Sequence, residues 1–566
     1  MDLSAKAQKL WKKIRQIEWK KFVKAIDPND DPTAEPVSPF ALLTLAIFAG
    51  ISLSMYLRWR IQPQQDTGLH VAFAAVFADY GKAGSIYPAI YKPLDVLSAN
   101  SFLYTVAGGL GKIINPVWAF RLTIGLGYHL GLPIANYYAL RVFGRSAWGA
   151  VISVPFVYNL AYVYGFMSFL FAGPLAVLAV PLMYRLLVNP TRWRILAVAI
   201  VTTCLFLTHF HIYMWMGIIL ATMSIVAIVV ASARLVLGRP TAKPWLIAAA
   251  ALGAVTPSLL LTVRWMVRLN KPPAEDEYIL ATMKPAASLW PAFKAGVKLP
   301  STSMEHIQAY LRLTISDGDH WFFICAFALA IACVGLSRLH KWKRPPVLEI
   351  VCAVSLLSYF VLPEDFASQQ VIASRQIGFG LWFASAFFTP VPLRVSWLGR
   401  TTVITVMILI TARMLSNWYV HLVKFQRDEA RGFDQVMAAA PPQLKIHYVG
   451  IDPDSKYFTW HTFWHVDNWY MLEKRGQCNA NAAYVGSMPI RYRKEAKPYH
   501  ATHVLEARNN AWSGITDIWD NFDLVLVHKW RPSAKDLENA NQYGVRLAKA
   551  GDWELWRSKR REGATP

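Results

Sequence analysis

Apolar residues in this chain come in blocks of about 16 to 24, separated by short polar connectors. That is the length at which an α-helix crosses a hydrocarbon core of roughly 30 Å. The pattern predicts about eleven spans, near 39–57, 117–140, 147–164, 166–187, 193–208, 212–233, 245–263, 320–338, 346–362, 371–391 and 400–419. The apolar run from 193 to 233 is too long for one helix and is divided at Thr208-His209-Phe210-His211. The run 101–113 is too short to cross and reads as a dipping or interfacial segment.

The connectors fix an orientation. Arg141 and Arg145 lie in one, and Arg185, Arg192 and Arg194 in the next on the same side. Arg234, Arg239 and Lys243 follow, then Arg338, Lys341, Lys343 and Arg344, and last Arg394 and Arg400. None of the five carries an acidic residue, and all fall on the side of the N-terminus. Lys and Arg concentrate in short cytoplasmic loops, so the expectation is N-terminus in, C-terminus out. The chain then divides into a cytoplasmic basic segment 1–38, a multi-span domain 39–419 with external loops 58–116 and 264–319, and an extracytoplasmic domain 420–566. In the last, 444–451 and 522–527 read as buried strands, and 545–556 as a strand pair turned at Gly551-Asp552. Helical patterns surround 428–440 and 535–543, so this domain is expected to be a small α/β unit.

Composition agrees. The 566 residues are 55% hydrophobic and 16% charged, against about 25% charged in soluble domains. The net charge of +23 invites a nucleic-acid partner, but much of the excess sits in the connectors, where topology accounts for it. Anionic membrane lipid is the partner it implies. Lys6, Lys9, Lys12, Lys13, Arg15, Lys20, Lys21 and Lys24 alternate with apolar residues at roughly helical spacing. A basic amphipathic helix on the cytoplasmic leaflet and a solvated basic tail both fit. The first apolar run, following this stretch with no small-residue cleavage site, is expected to be a signal anchor. Four of the five cysteines lie in apolar blocks and Cys478 stands alone in the terminal domain, so no disulfide framework is expected there.

Candidate chemistry begins just after the first span, where Asp66 and His70 are four residues apart and share one face of any helix starting there. Asp66 followed by Thr67 and Gly68 is equally the signature of an N-cap. Leu69, Phe73, Val76 and Phe77 continue as an apolar stripe. A signal anchor, an acidic residue in the first external loop, an interfacial helix and a soluble domain after the last span together resemble the type-C glycosyltransferases. These are integral membrane enzymes that take sugars from polyprenyl-phosphate carriers. The resemblance implies that Asp66 is the catalytic base or a metal ligand, with Asp79 second. The Asp-Glu or Asp-x-Asp pair familiar in that superfamily is replaced here by Asp66-Thr67-Gly68-Leu69-His70.

Four further groups stand out. On a helix His209 and His211 diverge by about 200° and cannot share a ligand, whereas at a turn they can. Arg375, at the outer end of a span, requires a phosphate, a carboxylate such as Glu364 or Asp365, or lipid headgroups. Asp317 and Asp319, with His320, either bind a divalent cation, the one cofactor the sequence suggests, or cap the next helix, and the cofactor is otherwise open. His461 and His465 lie four apart among aromatics, readable as a metal pair, a sugar-stacking surface or plain core. The charge run Arg264, Arg268, Lys271, Glu275, Asp276 and Glu277 reads as a solvated lid.

The leading expectation is therefore an inverting glycosyltransferase of the cytoplasmic (inner) membrane. It would use a lipid-linked donor, with Asp66 and His70 catalytic and Arg375, His209, His211, Glu364 and Asp365 on the substrate phosphate. A transporter or flippase of lipid-linked or acidic solutes, and a non-catalytic scaffold of envelope assembly, are the alternatives.

Overall fold

The structure is a computed structural model that describes residues 38–561, apart from 93, 239–241, 270–275, 279–319, 340–345, 361, 363–371, 389–396, 459–460, 479–482, 484–487 and 500–509. Helix α1 (Pro39–Arg58) starts where Ser38 Oγ accepts the Ala41 N–H (3.4 Å), with proline at the first helical position. It is followed by α2 (Thr67–Asp79), α3 (Phe102–Leu110), α4 (Pro116–Ile124) and α5 (Gly131–Val142). Then come α6 (Met167–Val188), α7 (Arg192–Thr208), α8 (Phe210–Val236), α9 (Pro244–Leu269), α10 (His320–Leu339), α11 (Val347–Ser358), α12 (Ile372–Phe383) and α13 (Trp397–Asp428). Among the described residues five helices, α1, α6, α8, α9 and α13, are long and apolar enough to cross a membrane.

Two expected spans depart from a straight α-helix. The block 117–140 is α4 and α5 joined by a π-helical stretch at Gly125–Leu130, which places buried His129 with its Nδ1 2.9 Å from Ser52 Oγ. The block 147–164 is no α-helical span. It runs as 3₁₀ turns Ala147–Ser153 and Pro155–Val157, then a short helix Leu160–Tyr164. Pro155 cannot supply the N–H an α-helix needs, and Asn159 restarts the helix by accepting the Tyr162 N–H (3.3 Å). Helix α13 runs on to Asp428, past the expected domain boundary at 419. An Arg145–Glu349 ion pair ties the connector after α5 to the first turn of α11.

The terminal domain carries a five-stranded sheet of β2 (Lys445–Gly450), β3 (Gln477–Cys478), β5 (Leu524–His528), β6 (Gly544–Ala550) and β7 (Trp553–Ser558), in the order β3-β2-β5-β7-β6. β2 is parallel to both β3 and β5, while β5–β7 and β6–β7 are antiparallel. Successive side chains of a strand face opposite sides. Leu524 and Leu526 accordingly join the core continuous with the helices, and Val525 and Val527 join a second core with Trp512, Trp519 and Trp556. Burial on both faces explains why β5 reads as an unbroken apolar run. A further two-stranded ladder joins β1 (Glu277–Tyr278) to β4 (Tyr492–Arg493).

Candidate active site

The turn between α1 and α2 is fixed from below. Gln65 N–H and Asp66 N–H donate to the carbonyls of Val163 (3.0 Å) and Tyr164 (2.9 Å). Gly165, which ends the short helix at φ +74°, lies so close that a Cβ there would sit 2.8 Å from Thr67 N and 2.9 Å from Asp66 N. Only glycine satisfies both the backbone angle and the approach. Asp66 therefore occupies the N-cap position of α2, but its carboxylate makes no capping hydrogen bond. It accepts instead from Gln65 Nε2 (3.3 Å) and stays half-buried. The capping reading of Asp66 is not met by its side chain: backbone bonds to Val163 and Tyr164 hold the turn before the helix, and the carboxylate bonds none of the first N–H groups of α2. Burial pushes the Asp66 carboxyl up to about 6, against the opposing pull of Gln65 and Arg375.

His70 lies one turn further along α2. Its Nδ1 is 2.6 Å from Tyr104 Oη on α3, and Ser168 bonds the same hydroxyl. Burial and the positive charge of Arg375 push His70 down to about 3, so it is neutral at physiological pH. With Tyr104 donating to Nδ1, the remaining proton sits on Nε2.

The histidine pair lies at the break between α7 and α8. His209 is extended (φ −157°, ψ 110°) and its Nδ1 accepts the Ile212 N–H (3.4 Å), which places its proton on Nε2. Because His209 is outside the helix and His211 inside it, the two rings approach to 6.2 Å, which helical spacing alone forbids. Gln376 Nε2 donates to His211 Nε2 (2.8 Å). The next-door Arg375 guanidinium lies 4.1 Å over the Phe166 ring. Arg375 acts electrostatically on Asp66, His70, His209 and His211 together. Five residues from three separate stretches of chain thus converge on one site.

An apolar cavity of about 430 Å³ opens beside it between α6, α7, α8 and α9. Leu205 and Tyr213, one turn before and one turn after His209, line its near end, and Leu220, Leu252 and Leu259 are among its other walls.

Other sequence candidates fall elsewhere. Asp79, twelve residues along α2 and so roughly 18 Å from its start, faces Arg475 (3.4 Å) and Lys82 (3.7 Å). His461 and His465 do not form a pair: the segment runs through turns, His465 has φ +59°, and His461 stacks on Trp464 (4.3 Å) and bonds Asp454 (2.5 Å). The His465 carbonyl instead sits against Gly68, where any Cβ would collide with it, and so docks the terminal domain on α2. Of the expected solvated lid, Asp276 pairs with Lys92, Glu277 with Arg491, and Arg264 and Arg268 with Asp95. Glu364, Asp365, Asp317 and Asp319 lie outside the described residues. Among the described residues no group of three or more His, Cys, Asp and Glu side chains could hold a metal ion. Tyr104, Phe166 and Gln376 were not anticipated. Gln376 had a signal, a polar residue inside an apolar block beside Arg375.

No protein-family model and no curated protein sequence matches the chain. Among solved structures it is similar to the crystal structure of ArnT from Cupriavidus metallidurans in the apo state, with 12% identity, a TM-score of 0.49, and coverage of 93% of this chain and 100% of that one. The same protein bound to undecaprenyl phosphate gives 12% identity and a TM-score of 0.49 over 92% of this chain and 98% of that one.

Proposed function

We propose that the chain is a multi-pass glycosyltransferase of the cytoplasmic membrane that moves a sugar from a polyprenyl-phosphate carrier to an acceptor hydroxyl on the extracytoplasmic side. The observation that carries this reading is the convergence of Asp66, His70, His209, His211 and Arg375 beside an apolar cavity. Transfer from such a donor needs a base for the acceptor, positive charge and donors for the departing phosphate, and room for a long apolar tail.

In this reading Asp66 takes the acceptor proton as the acceptor oxygen bonds to the anomeric carbon from the face opposite the phosphate. The bond from that carbon to the phosphate oxygen breaks, and its electron pair stays on the phosphate. Arg375 carries the compensating charge. The Nε2–H groups of His70 and His209 are the neutral donors, and both remain donors across the physiological range. The carrier's first isoprene units enter the cavity past Leu205 and Tyr213, and the terminal domain, docked at Gly68, closes the acceptor side.

The test is turnover of a radiolabelled polyprenyl-phosphate sugar by purified protein in lipid nanodiscs. Release of polyprenyl phosphate by the wild type, and its loss in Asp66→Ala, is the expected result. Unchanged turnover in that variant would falsify the assignment of the base.

A further inference from the structure

The short apolar helix α3 is not among the helices long enough to span, and residues at its N-terminal end reach two parts of the site. Near its start stands Asn100, a non-glycine residue at φ +64°. That left-handed conformation is one that asparagine tolerates better than most side chains. It aims the side chain at the break between α7 and α8, where Oδ1 accepts the Phe210 N–H (3.1 Å). Phe210 stands between His209 and His211, and its N–H is among those that a helix start leaves without an intrahelical partner. Asn100 thus caps α8 from another part of the chain and fixes the turn that brings both histidines inward. Four residues on, Tyr104 holds His70 through its hydroxyl (2.6 Å) and packs edge-on against Phe73 of α2 (5.2 Å).

We propose that Asn100 and Tyr104 are positioning residues, with the start of α3 the bracket that sets the His209–His211 pair and His70 at their working separation. Asn100 acts through His209 and His211, Tyr104 through His70. The proposal rests on the glycosyl-transfer reading for its kinetic consequence, but the geometry it invokes does not.

Two variants separate the roles. Asn100→Gly tolerates the left-handed backbone and removes the carboxamide with its acceptor oxygen; Tyr104→Phe keeps the ring and removes only the hydroxyl. Each deletes one hydrogen bond, worth about fivefold to tenfold. The first measurement is modification of individual histidines by diethylpyrocarbonate in the full-length protein in nanodiscs, mapped by mass spectrometry. Asn100→Gly is expected to raise the rate at His209 and His211 by about fivefold and leave His70 unchanged. Tyr104→Phe is expected to do the reverse. The second is kinetics with the lipid-linked donor: Asn100→Gly raises KM for the donor, while Tyr104→Phe lowers kcat at constant KM. Equal exposure of all three histidines in both variants would overturn the proposal, since that is how a merely structural helix behaves, and so would no change at any of them. If the variants show the histidine pattern but the wild type turns over no lipid-linked sugar, the bracket stands and the glycosyl-transfer reading is overturned instead.

Discussion

Two carboxylates, Asp66 and Asp467, are buried enough to be pushed well above the ordinary carboxylate range, the first to about 6 and the second to about 7. They differ in what opposes the burial. Around Asp467 the opposing groups are local: its own N–H, the Cys478 thiol, which donates to the Asp467 backbone carbonyl (3.1 Å), and the Asn468 N–H. Its side chain is buried. Around Asp66 they are the Gln65 amide and the Arg375 guanidinium, and the side chain remains half-buried. A raised carboxyl alone does not mark a base. A raised carboxyl that a reactant can reach, beside a cation able to receive a phosphate, does.

Substitution should break this comparison most sharply. Asp66→Ala is expected to lower kcat by about 10³-fold, within the range lost with a general base, while Asp467→Asn stays within about threefold of wild type because it touches no reactant. Arg375→Ala should cost about 10²-fold in kcat/KM through loss of charge at the departing phosphate. Arg375→Lys should recover only part of that, since lysine lacks the planar fork that stacks on Phe166. The pH profile gives a smaller effect. Asp66 must be ionised to accept a proton, so kcat/KM should fall about tenfold per pH unit below pH 6. The inflection should stay near 6 in Asp467→Asn; one that moves in that variant would transfer the role to Asp467.

How legible was this site? The polytopic pattern, the break at 208–211 and the strands at 444–451, 522–527 and 545–556 all follow from apolar run length and periodicity, because burial selects residue type directly. The two histidine pairs show where that reasoning stops. His209 and His211 have a spacing that separates them on a helix, yet a single extended residue brings them together. His461 and His465 have the spacing that joins them on a helix, yet turns and a left-handed His465 send them apart. Spacing carries information only once the backbone is known. Tyr104 and Asn100 were illegible for another reason: their partners, His70 and Phe210, are 34 and 110 residues away. No local pattern encodes such a contact.

The smallest expected effect is on stability, and it separates the two carboxylates from the opposite direction. A carboxyl raised in the folded state favours folding at pH values below its unfolded pKa, and that contribution is lost as pH rises through the folded pKa. For Asp66, moved from 3.8 to about 6, holding the ionised form in place at pH 8 costs up to about 3 kcal/mol, at 1.36 kcal/mol per pKa unit. Asp66→Asn removes the charge and keeps the shape, so its Tm in detergent should exceed that of wild type at pH 8. At pH 5 the unfolded chain still ionises Asp66, so about half of that difference should remain, and the two should coincide only below the unfolded value of 3.8. The variant expected to be inactive is thus also the more stable one at pH 8. If Asp66 served to cap α2, as its position at the helix start suggests, the substitution would instead be neutral or destabilising at both pH values, since asparagine caps no better than aspartate. Asp467→Asn should also gain stability at pH 8, but with no loss of turnover. A carboxylate retained at a cost to stability, in a place where its charge is used, is what distinguishes Asp66 from its counterpart in the terminal domain.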